Sequence, residues 1–449
     1  MKFEKAFLTS ISILKSTWIG RMIRSVLTRR EFFKFIAGSG LLASSKFEVA
    51  SGALHSLAQG ADQSATQDCD LLIKGGTVID PGRNVHAPLD VAVKDGKILE
   101  LSPDISAARA LRVVSAKGKI VTPGLIDVHV HVFEGVGPTG LNADQYCLGR
   151  GVTTAVDAGS TGYADIAGFR QYVIKPSATR VYALVDIGAR GTILGLIGNY
   201  ANLDWVNAQL TARAAEANKP DVVGIKVRLS REITGSNDLE ILKRALEAAK
   251  ISHLPLMVHV GDSYSPLPEI LVQMRKGDVL THCFTGRPHG PLDANGKIIP
   301  EMLDCRQRGV LFDVGDGGPH LDLDVAEKCL QQNFLPDTIG TDLGGLSYNG
   351  PVYDLVTELS KFLLLGLSVD QVIERVTIRP TRMFNFGVEL GSLRPGTVAD
   401  ITILEVREGS FLFSDSTGKK RTGRQKLQSA AAVRAGKLYV NRSEDLLNS

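Results

Sequence analysis

The stretch VVGIKVRLSREITGSNDLEILKRALEAAKISHLPLMVHVG, residues 222–261, carries a complete strand–helix–strand unit. VVGIKVRLS and LPLMVHVG are short apolar runs of strand length. Between them DLEILKRALEAAKIS returns its apolar residues at helical spacing. The same alternation continues in both directions. GLIDVHVHV (124–132), GVTTAVDAG (151–159) and VYALVDIG (181–188) come before it. DVLTHCFTG (278–286), GVLFDVGDG (309–317) and DTIGTDLGG (337–345) come after it. Repeated strand–helix units give a parallel sheet, and eight of them over about 220 residues predict a closed (β/α)8 TIM barrel, an α/β fold, at 123–385.

The flanks read differently. From Asp70, DLLIKGGTVIDPGRNVHAPLDVAVKDGKILEL alternates short strands with Gly-, Pro- and Asn-rich turns. GSLRPGTVADITILEV and LQSAAAVRAGKLYV repeat that character near the other end. A small β-sandwich built from both termini, 68–122 with 386–445, accounts for both. Residues 1–60 are set apart: Arg29 and Arg30 precede Lys34 and the modestly apolar FIAGSGLLASS. This resembles a bacterial twin-arginine export signal, with Met22 as an alternative start, and predicts a periplasmic protein.

The formal charge of +3 comes from that basic front. Residues 1–60 hold nine Lys/Arg and three Asp/Glu, leaving 42 and 45 for the rest. The body has no basic excess suited to nucleic acid, so small molecules are the expected partners. No run reaches the roughly 18 apolar residues of a membrane span, and self-association is left open. Five scattered cysteines without CxxC spacing predict neither a disulfide framework nor a zinc knuckle.

Strand-end positions carry the unusual polar residues. His129 and His131 alternate onto one face of the first run. His259 ends the fifth, His282 the sixth and Asp342 the eighth. Lys226 lies in the fourth, where a lone ammonium would be costly. Singly, each has a plainer reading: a hydrogen-bonded histidine, a helix cap, a buried ion pair. Together they converge on one barrel mouth. Four imidazoles and a carboxylate suit zinc or a similar divalent metal, in number enough for two ions. Two ions need a bridge, which Lys226 supplies if its neutral amine takes up carbon dioxide as a carbamate. Arg228, two residues on and on the same face, is placed either to grip a substrate carboxylate or to form a salt bridge. Asp157 and Asp313 are placed to orient ligands or to cap helices, and Cys283 to pack.

PGLIDVHVH, GIKVRLS, PLMVHVG, VLTHCFTG and TIGTDL resemble the motifs of the amidohydrolase superfamily, and most nearly its deacetylase, dihydroorotase-like branch, over about residues 70–440. The resemblance implies two divalent ions: one held by His129, His131 and Asp342, the other by His259 and His282, with carboxylated Lys226 between them. It implies hydrolysis of a carbon–nitrogen bond, with Asp342 moving the proton, and a deacetylase or N-acyl hydrolase as the leading reading. A cyclic-amide hydrolase of the dihydroorotase or hydantoinase kind, an ester or lactone hydrolase, and a silent scaffold are the alternatives. A mononuclear deaminase would not need Lys226. The branch usually writes DVGHG at the seventh strand and TDLH at the eighth. Here Asp316 and Gly344 stand at those histidine positions, with His320 nearby. VFEG follows the first histidine pair where a dihydroorotase has arginine. These departures bear on substrate recognition, not on the metal set.

Overall fold

A computed structural model describes residues 67–440; the segment expected to direct export lies outside them. Five strands come first: β1 (Cys69–Asp80), β2 (Val85–Lys94), β3 (Lys97–Ser102), β4 (Ala110–Ser115) and β5 (Ile120–Pro123). Then follow β6 (Leu125–Val130), β7 (Val152–Gly162), β8 (Arg180–Asp186), β9 (Val222–Arg228), β10 (Leu256–His259), β11 (Val279–Thr281) and β12 (Leu311–Asp313). The last three are β13 (Ile401–Ser414), β14 (Lys420–Arg434) and β15 (Lys437–Val440).

Strands β6 to β12 pair in sequence order, each parallel to the next. Parallel neighbours require crossovers, and helices supply several of them. In Asp238–Ser252 the buried Ile241, Leu242, Ala245, Ala248 and Ala249 form one stripe, while Glu240 and Arg244 pair at 2.8 Å on the outer side. No helix among the described residues is long and apolar enough to cross a membrane.

The eighth run departs from the expectation of a regular strand. Residues 338–343 make only two bridges, Thr338 with Asp313 and Leu343 with Val130, but these join the two ends of the seven-stranded sheet. Buried carboxylates replace part of the missing ladder. Asp313 Oδ1 accepts from Gly340 N–H and Thr338 Oγ1, both at 2.8 Å. Asp127 accepts from Thr341 N–H at 3.1 Å and Thr341 Oγ1 at 2.7 Å. A side chain reaches where a twisted backbone cannot, and so pairs backbone groups that the ladder leaves open. The domain is TIM-barrel-like.

The terminal strands form one eight-stranded sheet, in the order β15-β14-β13-β5-β1-β2-β3, with β4 also paired to β1. Both flanks therefore build one β piece. Ala399 ties its ends together: its N–H donates to Gly96 O at 2.9 Å, and its carbonyl accepts from Gly436 N–H at 3.0 Å. Ile73, Val91, Val121, Ile401 and Val433 fill the core beneath. All five cysteines are buried and free.

Candidate metal centre

The metal-ligand candidates meet at the C-terminal ends of the barrel strands. A register shift between Asp127 and Val130 turns β6 over. Leu125 and Val130 consequently join the same apolar cluster although they differ in parity, and Ile126 and Val128 join another. Beyond the shift His129 and His131 keep the shared face that alternation predicts. Their Nε2 atoms lie 3.3 and 3.1 Å from Asp342 Oδ1. Lys226 Nζ sits 3.0 Å from His129 Nε2, and His282 Nε2 sits 2.8 Å from His259 Nδ1. Asp342 Oδ2 lies 4.0 Å from His282 Nε2. The six side chains thus form one continuous polar cluster.

Backbone geometry makes room for it. His282 and Asp342 have φ of 65° and 50°, left-handed values uncommon for such residues and frequent at functional sites. Two glycines of DVGDG run close above. A Cβ on Gly315 would meet Thr281 Oγ1 at 2.4 Å, and one on Gly317 would meet Asp342 Oδ2 at 2.2 Å. No other residue type fits either place.

A supporting layer, of which the sequence offered only Asp157 and Asp313, fixes the rings. His129 Nδ1 meets Thr281 Oγ1 at 2.9 Å, and Thr281 Oγ1 donates to Asp313 Oδ2 at 2.8 Å. His131 Nδ1 meets Ser160 Oγ at 2.9 Å, while Asp157 accepts the N–H of Ser160 and of Val132. His259 Nε2 meets Ser230 Oγ at 3.0 Å, and His282 Nδ1 meets Gly315 O at 2.5 Å. Each far nitrogen is occupied, so the near nitrogen faces the cluster. Asp157 and Asp313 accordingly brace the partners of His131 and His129 and do not cap helices. The serine and threonine partners carry no spacing signal.

Protonation states suit cation binding. Burial lowers His129, and lowers His259 and His282 well below the usual imidazole range. Burial pushes Asp342 up, but the neighbouring imidazoles outweigh it and hold the carboxylate well below its usual range. Burial also brings Lys226 down to about 8, against the pull of Asp342. Neutral imidazoles and an ionised carboxylate are the forms that ligate metal. Ring nitrogens and a carboxylate oxygen of His129, His282 and Asp342 lie within 4.8 Å of one another, a spacing one ion can bridge.

A cavity of about 510 Å³ opens over this floor, walled by Pro138, Ile193, Leu194, Pro319 and Leu346. Arg228 lines it as well. Its backbone N–H is held by Tyr200 Oη at 3.0 Å, yet its guanidinium forms no ion pair with a described residue. The salt-bridge alternative for Arg228 therefore fails. A larger cleft, about 920 Å³, lies among Lys250, Arg275 and Arg382, beside residues that precede β10 and β11. It contains none of the cluster and sits at the end of the barrel opposite the chemistry.

Asp316 does not face the cavity. Lys361 Nζ binds its Oδ2 at 2.6 Å and approaches Glu358 Oε1 at 2.8 Å, with all three side chains fully buried. Burial drives Glu358 well above the usual carboxylate range, which leaves Lys361 and Asp316 as the charged pair. Lys361→Met should strand the Asp316 charge and cost about 3–5 kcal/mol in urea unfolding. A loss below 1 kcal/mol would show the pair to be dispensable.

The amidohydrolase family model matches residues 120–282. A deacetylase of Brucella anthropi is 35% identical over 334 residues, covering 74% of this chain and 83% of its own. A crystal structure titled as an adenine deaminase superposes with TM-score 0.77 at 35% identity, covering 83% of this chain and 100% of its own. One titled as a dihydroorotase gives 0.76 at 30%, covering 82% and 99%.

Proposed function

Because the chain belongs to the amidohydrolase family, whose members generally depend on metal, we propose that it hydrolyses the amide of a small N-acyl compound bearing a carboxylate, most simply as a deacetylase. The observation that carries this reading is the set of buried His129, Lys226, His259 and His282 with half-buried His131 and Asp342, under a cavity lined by Arg228, which forms no ion pair with a described residue.

The donors fit two divalent ions, and imidazole with carboxylate suits zinc. His129, His131 and Asp342 would hold one, His259 and His282 the other, and Lys226 as a carbamate both. Ions bound there would supply Lewis acidity toward a carbonyl and toward water. The remaining work belongs to the chain. Asp342, ionised at the cavity floor, accepts the proton that attacking water loses and returns it to the departing nitrogen. Arg228 grips the substrate carboxylate by paired hydrogen bonds. The apolar walls take the acyl group and exclude water. An ester or lactone would meet the same floor.

A cyclic-amide hydrolase is the second reading, favoured by the likeness to a dihydroorotase. Against it, Val132 and Phe133, where that family places arginine, are buried at 2% and 6% exposure and cannot hold a ligand anion. The decisive experiment is a hydrolysis panel on protein supplied with zinc and bicarbonate. It spans N-acetyl amino acids of both configurations, acetate esters, cyclic imides, dihydroorotate and adenine. Acetate release from the N-acetyl acids is expected. Ring opening of the imides, or ammonia from adenine, without acetate release overturns the reading.

Arg228→Met should lower kcat/KM for carboxylate substrates about 100-fold, mostly through KM. The corresponding neutral amides should lose little. An equal loss for both would remove the carboxylate contact from the proposal.

Two further parts of the reading concern the rest of the chain. The terminal sheet, with its ends joined through Ala399, is taken as the small β-sandwich. Export rests on Arg29 and Arg30. An Arg29→Lys, Arg30→Lys double variant retained in the cytoplasm while the parent reaches the periplasm supports it, and equal export of both removes it.

A further inference from the structure

We propose that His320 is a third imidazole ligand to the ion held by His259 and His282, an inference that rests on the two-metal reading above. The seventh run has Asp316 where the branch has histidine, and that carboxylate is turned away. Its Oδ2 accepts from Lys361, and its Oδ1 accepts from Gly318 N–H at 3.1 Å. Four residues on, His320 N–H donates to Asp316 O at 3.1 Å. The single turn so closed brings an imidazole back over the site. Asp316 and Lys361 therefore act as the clamp of a turn whose product is the placement of His320.

The geometry of the ring points to a ligand. His320 stacks on His282 with centroids 3.8 Å apart, and meets His259 edge-on at 4.9 Å. One nitrogen from each of the three rings lies within 4.8 Å of the other two, so a turn of the His320 ring off its stack on His282 would let all three meet a single ion. The residue is only 7% exposed, and its Nδ1 is buried without a hydrogen-bond partner among the described residues. A buried polar atom of this kind costs free energy unless something occupies it. The backbone is cut to receive it: a Cβ on Gly261 would lie 2.7 Å from His320 Cε1 and 2.8 Å from Nδ1.

A third imidazole gives this ion the three-histidine environment that suits zinc. It follows that the His259–His282 ion is held more tightly than two histidines and a bridge would allow. The test is zinc content and chelator competition on the full protein, with the electronic spectrum of the cobalt-substituted form. The parent should retain two ions per chain. His320→Ala should keep one and bind the second more than 100-fold more weakly, beyond the roughly 10–100-fold typical of an outer-shell change. Its cobalt spectrum should change accordingly. His320→Gln serves if the alanine variant fails to fold. Gly261→Ala, whose methyl crowds the ring, should reproduce the loss. Two ions at parental affinity with an unchanged spectrum, even with a raised KM, overturn the proposal and make His320 a substrate contact. A parent that binds no metal overturns the two-metal reading itself.

Discussion

Asp342→Asn is expected to lower kcat by about 10²–10⁴-fold, the range of a lost general acid–base group, while zinc content and thermal stability stay near those of the parent. The carboxylate is ideally shared between two duties. Its Oδ1 lies within 3.3 Å of two imidazole nitrogens, close enough to share an ion with them. Asp342 also lines the substrate cavity, so it can reach a bound amide. Neighbouring imidazoles hold it ionised, the form able to accept a proton. Asparagine keeps the oxygen and the shape but cannot carry that proton. The left-handed φ of 50° also favours this substitution, since asparagine tolerates that region as well as aspartate does. The fold therefore survives and the chemistry does not. Metal analysis separates the duties: loss of turnover with metal retained assigns the proton to Asp342, loss of both assigns it to ligation, and parental turnover rejects the role.

Repetition made the barrel legible. Apolar runs alternating with helical stretches leave few architectures, and strand-end histidines then point to one mouth. What stayed hidden was set by contacts between distant residues. The eighth run reads like its neighbours, yet 338–343 are carried largely by the carboxylates of Asp127 and Asp313. An aspartate in an apolar run carries no mark of the distant backbone it will accept from. Thr281, Ser160 and Ser230 are equally silent, because a hydroxyl that braces an imidazole looks like any other. The turn over of β6 was hidden too, since a register shift adds no residue type of its own. His320 was visible only as a displaced histidine. Its meaning needed the Lys361–Asp316 pair, 45 residues apart in sequence, which explains why Asp316 cannot serve. Arg228 shows the reverse case: sequence posed two uses, and among the described residues no carboxylate comes within ion-pair distance of it.

Lys226→Met should abolish activity and strip most of the bound metal, and the parent should depend on carbon dioxide in a way the variant does not. Lys226 is 1% exposed, between His129 and Met257 Sδ, which its Nζ approaches at 3.4 Å. An ammonium there would repel two nearby cations, so a charged lysine and a loaded site exclude one another. Burial shifts the balance toward the amine. A fall from 10.5 to about 8 raises the neutral fraction at neutral pH roughly 300-fold. A neutral amine would attack carbon dioxide and lose a proton to become a carbamate, which would offer anionic oxygen donors to the ions. Methionine matches the length and apolar stem and keeps the core filled. Gly159 gives the stem its path, since a Cβ there would lie 2.7 Å from Lys226 Cγ. Protein stripped of metal and reloaded with zinc in degassed buffer should regain little activity, and bicarbonate should restore it. Equal recovery with and without bicarbonate would leave Lys226 as an uncarboxylated amine and remove the bridge. Full metal binding by Lys226→Met would remove the lysine from the site altogether.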